Sequence, residues 1–468
     1  MTLNRHFFAF AFVSLLSAGC TGLSFGEKTA GSDTYLEGGA IAVDDRTETS
    51  FVLHRATKTT EAEAGPATTS IEAIFAVSPD GSQIDKVQDM AQRNDVRILF
   101  PESGIMLMSE LNGKDRLQLF DNKTFAEKTS SDLSIRYHGT RMSPSRKWIA
   151  VADNTSEKAP IHIINGATLE TAVVPHQGEW LEAMWMHQND ELVAIVFHEQ
   201  NSMNPSARIL SWSMDSVASG GFKPDLMTGY WAAPKLDITL PATAADFLFS
   251  FTWVGISPDD KYAVFPVRKP DGQGNFSYQL IVVESATGTM NTIDNAKGPV
   301  GFTPDGLTIV SYRDVETANG INQELLLIDM ATLTPDPVTV PLEGGITYFV
   351  SHAGNYIVVA SNGGEQKLVL HDVDQNKTTQ MAGPGIGLNE FVSRTAQNEL
   401  WLVDSQALFR LDMVQATFES VPTSFSPAHI NLLPNKDELV LGGDGDGKLY
   451  FFSPSTKEIT ATAALPMP

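Results

Sequence analysis

Residues 303–332 read TPDGLTIVSYRDVETANGINQELLLIDMAT. The opening Thr303-Pro304-Asp305-Gly306 has the chemistry of a tight turn. Proline presets the first turn dihedral, aspartate bonds back to the backbone, and glycine accepts a positive φ. A strand-like run follows. A second apolar run, residues 325–328, ends at Asp329 and is followed by a turn carrying Thr332. Neither run alternates apolar with polar. A strand with one wet face alternates, so continuous runs predict burial on both faces.

The unit recurs. Runs of the LLLID type end at Asp121, Asn165, Ser213, Glu284, Asp329, Asp372, Asp412 and Ser453, at intervals of 44, 48, 71, 45, 43, 40 and 41 residues. Leaving the 71 aside, the mean is 43.5 residues, and eight units with one insertion of about 27 account for residues 94–468. Turn-then-strand copies at 143–153, 257–267 and 351–361 match 303–314, and looser ones stand at 101–110, 187–197 and 434–443. Each period therefore predicts four short antiparallel strands. Small sheets buried on both faces stack radially, which predicts an all-β propeller of four-stranded antiparallel blades. The expected number is eight, with seven as the alternative.

These repeats resemble the broad group of bacterial SPDG-repeat propellers, which includes TolB-like, lactonase-like and BamB-like proteins and is WD40-like in the broad sense. The GH…WD pair of true WD40 repeats is absent. The resemblance implies architecture and leaves function open. A further Ser78-Pro79-Asp80-Gly81 lies only 22 residues before Pro101, too near for a separate blade of this period. Residues 41–93 are thus expected to be an irregular N-terminal segment. Its Ser78–Gly81 turn would form a closing strand pair with 51–54, and 41–77 would lend an outer strand to the last blade.

The 468 residues carry 32 basic and 56 acidic side chains, a formal charge of −24. An acidic chain lacks the basic face that nucleic acid or anionic lipid requires. The single cysteine excludes a disulfide framework, a CxxC centre and a cysteine-rich zinc site. Its setting is informative. A short start with Arg5 precedes an apolar run at 7–16, too short to span a bilayer but suited to a signal peptide. Ser17-Ala18-Gly19-Cys20 follows and resembles the lipobox of bacterial lipoproteins, although Leu16 stands one place earlier than the commonest position. The resemblance implies cleavage of residues 1–19 and acylation of Cys20. It also implies a lipid-anchored place in the bacterial cell envelope. Thr21 favours the outer membrane facing the periplasm, with the cell surface as the alternative. Residues 20–40 are rich in Gly, Ser, Thr and Ala and are expected to be a flexible tether.

Chemistry-bearing motifs are few. The long interval holds an insertion, residues 216–250, with Phe222, Tyr230, Trp231, Phe247 and Phe249 among small residues. These are candidate partner-binding positions. Loops after the second strands carry Asp153, Glu199, Arg268, Asp271, Arg313, Asp314, Asp404 and Asp444, which would cluster at one mouth of the channel. His176, His187 and His198 lie 11 apart, but strand geometry sends the latter two to opposite sheet ends, against a shared metal. Gly442-Gly443-Asp444-Gly445-Asp446-Gly447-Lys448 lacks the distal ligands of a calcium loop and reads as a hairpin turn. No G-x-S-x-G, HExxH or P-loop is present. No catalytic residue, cofactor or metal is expected. The resulting expectation is an envelope binding or scaffold protein that holds a protein partner on its propeller faces. The alternative is a metal-assisted hydrolase or lactonase-like enzyme at the channel mouth.

Overall fold

The computed structural model describes residues 30–36, 39–62, 65–90, 93–112, 114–133, 137–153, 161–174, 180–186, 189–198, 206–214, 217, 236–239, 255–259, 261–270, 276–284, 287–317, 320–340, 346–352, 356–361, 368–381, 390–404, 406–443 and 445–468. They form nine sheets, each built from four consecutive antiparallel strands. Numbered along the chain, the blades are 41–89, 94–133, 137–174, 180–239, 255–294, 297–339, 346–381, 390–421 and 427–464. Blade 2 has a fifth strand, Thr34–Tyr35, added at its inner edge. No helix among the described residues is long and apolar enough to cross a membrane.

Blade 6 shows why the runs do not alternate. Ile309, Leu326 and Ile328 pack towards blade 5, against Val264, Leu280 and Val282. Their neighbours Val310, Leu325 and Leu327 pack towards blade 7, against Ile357, Val359 and Val369. Successive side chains point to opposite faces of a strand, so both faces of the blade are core. The first strands pack around the axis. The outer strands, such as Met290–Asp294 and Pro335–Thr339, are largely solvent-exposed.

Two turn chemistries recur. In the turn from first to second strand, the Thr303 Oγ1 accepts the Thr308 N–H at 3.1 Å and donates to Asp305 Oδ1 at 2.6 Å, with Gly306 at φ +71°. Ser257 repeats the pattern, accepting from Tyr262 N at 2.9 Å and donating to Asp259 at 2.8 Å. In the turn from third to fourth strand, the Asp329 carboxylate accepts the N–H groups of Ala331 and Thr332, both at 2.9 Å. Asp121 does the same with Lys123 and Thr124, both at 3.0 Å. The residue after the threonine is left-handed even where bulky, as at Phe125 (φ +54°), Leu169 (+61°) and Leu333 (+53°). All three side chains pack on neighbouring cores, which offsets the backbone strain.

The blade number corrects the expected eight: the ring has nine. Residues 41–89, expected to be irregular, form a complete blade, and no strand is lent to the last one. Residues 51–54 do pair with the strand that precedes Ser78–Gly81. That turn, however, joins the third and fourth strands, Gly65–Val77 and Ile84–Asp89. Elsewhere the same tetrapeptide type joins the first and second, as at 143–146, 257–260 and 303–306. Measured from the wrong turn, the first blade looked too short. The ring closes by side-chain packing. Ile41, Val43, Phe75 and Val77 of blade 1 share a core with Leu433, Val440, Leu449 and Phe451 of blade 9. Asn431 Nδ2 donates to the Ile41 carbonyl at 2.9 Å, and Glu48 Oε1 accepts the Asn435 N–H at 2.5 Å. Residues 30–36, part of the stretch expected to be tether, are built into the inner wall of the ring.

Two outcomes are expected. Phe451→Ala removes a fully buried ring at the seam and lowers unfolding free energy by about 3–5 kcal/mol in a denaturant titration. Acid weakens the turns. Backbone N–H donors, chiefly Thr332 for Asp329 and Thr124 for Asp121, hold both carboxyls below the ordinary range. The unfolded chain, with an ordinary pKa near about 3.9, takes up those protons first. This stabilisation is therefore complete above about pH 5 and is lost progressively between there and about pH 2. Thermal melts of Asp329→Asn between those limits show a shallower acid slope than the parent chain; an identical slope contradicts this account.

Candidate functional site

Consecutive antiparallel strands send their connections alternately to two faces. Turns from first to second and third to fourth strand share one face, hereafter the short-turn face. Connections from second to third strand, and from each blade to the next, share the other, the loop face.

The candidate channel-mouth residues that the structure describes stand on second strands, in blades 3, 5, 6 and 8. Arg313 and Asp314 are adjacent in the strand Thr308–Thr317 of blade 6 and so turn to opposite sides of the sheet. Arg313 donates to Glu324 Oε2 on the facing strand from Nε and Nη2, at 2.9 and 2.7 Å. Asp314 pairs with Lys297 and accepts from Gln323 Nε2 at 3.1 Å. Lys297 lies 3.9 Å over the Tyr278 ring. Asp404, half-buried, ends the second strand of blade 8 opposite Ala407. Asp153 and Arg268 are placed by backbone pairing alone, opposite Tyr137 and Tyr278. Glu199, Asp271 and Asp444 lie outside the described residues, as do Cys20, Phe222, Tyr230, Trp231, Phe247 and Phe249. The outer strand of blade 4, Leu236–Thr239, falls within 216–250 and divides it. The stretch before it meets the strand at its short-turn end; the stretch after it leaves from the loop end. Among the described residues no three His, Cys, Asp or Glu side chains are grouped as metal ligands.

A site that no motif announced lies where the ring closes. A cavity of about 290 Å³ opens at the loop face between blades 1 and 9, lined by Gly39, His54, Arg55, His429, Lys448 and the glycines of 442–447. Blade 8 orients one imidazole: His429 Nδ1 is 3.1 Å from Glu390 Oε1, while Glu390 Oε2 accepts the Ile430 N–H at 3.2 Å. This leaves Nε2 beside Gly39, whose φ is +90° and where a Cβ would sit only 3.3 Å from that nitrogen. Burial holds the His54 imidazole below its ordinary pKa, so it is neutral at pH 7. Its ring faces Phe75 at 6.2 Å. Arg55 is held by Glu72 at 2.5 Å.

The glycines make the space. A Cβ on Gly447, at φ +66°, would meet His54 Cε1 at 3.0 Å. The 442–448 stretch joins the second and third strands of blade 9, and its Asp446 is used locally. It accepts the Lys448 N–H at 2.9 Å and the Tyr450 hydroxyl at 2.5 Å. Tyr450 in turn stacks on Phe425 at 3.6 Å. A neutral imidazole, a carboxylate-oriented imidazole, two cationic side chains and bare backbone thus meet in a space suited to a small polar molecule or one side chain of a partner. His54 and His429 come from near opposite ends of the chain, and only ring closure brings them to one cavity. The one sequence signal was the glycine density of 442–447.

No protein-family model matches the chain, and no curated protein matches it in sequence. Solved structures match its fold. A crystal structure of the eukaryotic initiation factor is 9% identical with a TM-score of 0.51, covering 88% of this chain and 98% of its own. Apo AztD from Citrobacter koseri is 15% identical with a TM-score of 0.42, over 75% and 92% of the two chains. An oligogalacturonate lyase in complex with manganese is 14% identical with a TM-score of 0.40, over 88% and 97%. What is shared at such identities is the fold. The class is a β-propeller, here of nine blades.

Gly447→Ala is expected to cost about 1 kcal/mol from its left-handed backbone, and more as the methyl displaces His54. Gly445→Ala, at φ +70° with nothing within 4 Å of its Cβ, is the control for backbone strain alone. NMR titration of His54 gives a pKa below the ordinary ~6.5. Gly447→Ala shifts it and Gly445→Ala does not.

Proposed function

We propose that this chain is a lipid-anchored binding protein of the bacterial envelope. Acylated Cys20 holds it at the outer membrane facing the periplasm, and the ring holds a protein partner. One observation carries the reading, the unequal chemistry of the two faces. Apart from the long connection between the third and fourth strands of blade 4, the short-turn face is a set of repeated turns whose polar groups bond within the turn or to another blade. Arg146 there is bound to Asp45 at 2.5 Å, and Arg46 donates to the Pro101 and Gly104 carbonyls at 2.8 and 3.0 Å. The loop face carries the connections between blades, the seam cavity and the variation in length that specific recognition needs. The leader ending Ser17-Ala18-Gly19-Cys20 supports the anchor. Two or more acyl chains, at ~0.8 kcal/mol per buried methylene, suffice for stable attachment. Phe247 and Phe249, in the connection from blade 4 to blade 5, are further proposed contacts.

Crosslinking in intact envelopes followed by affinity capture recovers a reproducible protein partner from the parent chain. Cys20→Ala leaves the folded protein in the soluble fraction. Unchanged membrane association of that variant rejects the anchor, and consistent absence of a crosslinked partner rejects the binding role.

A further inference from the structure

The described chain enters the ring at one defined place, and its direction there is fixed. Thr34–Tyr35 runs antiparallel to the innermost strand of blade 2, Asn94–Leu99, with Thr34 opposite Ile98 and Tyr35 opposite Arg97. That blade-2 strand runs towards the turn at 101–104 on the short-turn face, so the 30–36 segment runs away from that face. The flanking contacts agree. At the beginning, Gly31 N donates to the Val43 carbonyl at 2.6 Å and lies against Asp45 and Arg146, all at the short-turn end. At the far end, Leu36 N donates to the Val96 carbonyl at 2.9 Å, and Gly39 reaches His429 at the loop end.

The segment is held firmly to the inner wall. Asp33 pairs with Arg97 Nη1 at 3.4 Å. Arg97 also lies 5.5 Å over the Tyr35 ring, and the Tyr35 hydroxyl donates to Asp95 at 3.2 Å. Ala30, the first described residue, therefore stands near the ring axis at the short-turn face.

We infer that anchoring at Cys20 turns the short-turn face towards the bilayer and presents the loop face, with the seam cavity, away from it. This rests on the reading of Cys20 as the lipid attachment. The magnitudes favour it. Ten peptide links separate Cys20 from Ala30 and span at most ~35 Å fully extended. Four strands at ~4.8 Å spacing make each blade ~15 Å deep, and six-residue strands make the ring ~20 Å thick. With the channel radius added, a tether starting near the axis needs ~40 Å or more to pass around the rim to the other face. Exposed large apolar side chains favour neither face: Leu307 and Val414, 64% and 63% exposed, sit in turns of the short-turn face, and Met467, 67% exposed, follows the outer strand of blade 9 on the loop face.

The test uses the acylated full-length protein in liposomes of phosphatidylethanolamine and phosphatidylglycerol that carry a headgroup acceptor dye. With Cys20 acylated, an introduced cysteine is the only free thiol. Donor dyes are attached at Leu307→Cys and Val414→Cys on the short-turn face, and at Ala464→Cys, which ends the outer strand of blade 9 on the loop face. Energy transfer is expected to be several-fold stronger from 307 and 414 than from 464. Equal or reversed transfer, with binding still dependent on Cys20, overturns the orientation and leaves the anchor standing. Binding that persists in Cys20→Ala, or its absence in the parent chain, overturns the anchor and this inference with it.

Discussion

Burial of the second and third strands on both faces is the constraint on which the rest of the structure depends. A sheet carrying Leu325, Leu326, Leu327 and Ile328 in succession has no face to give to water. Each such side chain favours burial by about 1.5–3 kcal/mol, so every blade requires a neighbour on either side. A row of such sheets ends in two apolar faces unless it closes. The seam between blades 1 and 9, filled by Phe75 and Phe451, is the place where that requirement is met. It also explains why the N-terminal residues 41–89 had to be a full blade.

Polar groups then set the register that packing alone leaves loose. The repeated Ser/Thr and Asp turns fix where each strand starts, and side chains on the short-turn face tie one blade to the next. Ser145 of blade 3 donates its backbone N–H to Asp190 of blade 4 at 3.2 Å. At the junction of blades 8 and 9, burial alone would raise the Glu399 carboxyl. Hydrogen bonds from Arg410 and Trp401, with the charges of Arg394 and Arg410, hold it below the ordinary range. Arg394 also reaches Asp437 of blade 9. With its polar groups spent in this way, the short-turn face is the structural side of the ring. The seam cavity opens at the loop face, and the inner strap at 30–36 runs from the short-turn end towards it.

The repeating architecture was legible because turn residues and double-sided strands leave periodic marks. The four-stranded blades and the order of their strands follow from that period, as does the hairpin at 442–448. Blade 1 was not legible as a blade. Its turn tetrapeptide at 78–81 occupies the third-to-fourth connection, and the tetrapeptide alone does not say which connection it serves. Arg313 and Asp314 looked like neighbours at a channel mouth. Pleating turns them to opposite sides of one blade, each engaged by its own partner.

The sequence by itself determined the propeller class, the spacing of its units and an acidic composition with a single cysteine. Local physics suffices for these, because turn dihedrals and strand burial depend on residues a few places apart. Only the tertiary structure decided the number of blades, the closure of blade 1 on blade 9 and the side from which the chain enters. The meeting of His54, His429 and Glu390 belongs with them. Each depends on which distant strands end up adjacent once the ring closes, and no local pattern encodes that adjacency.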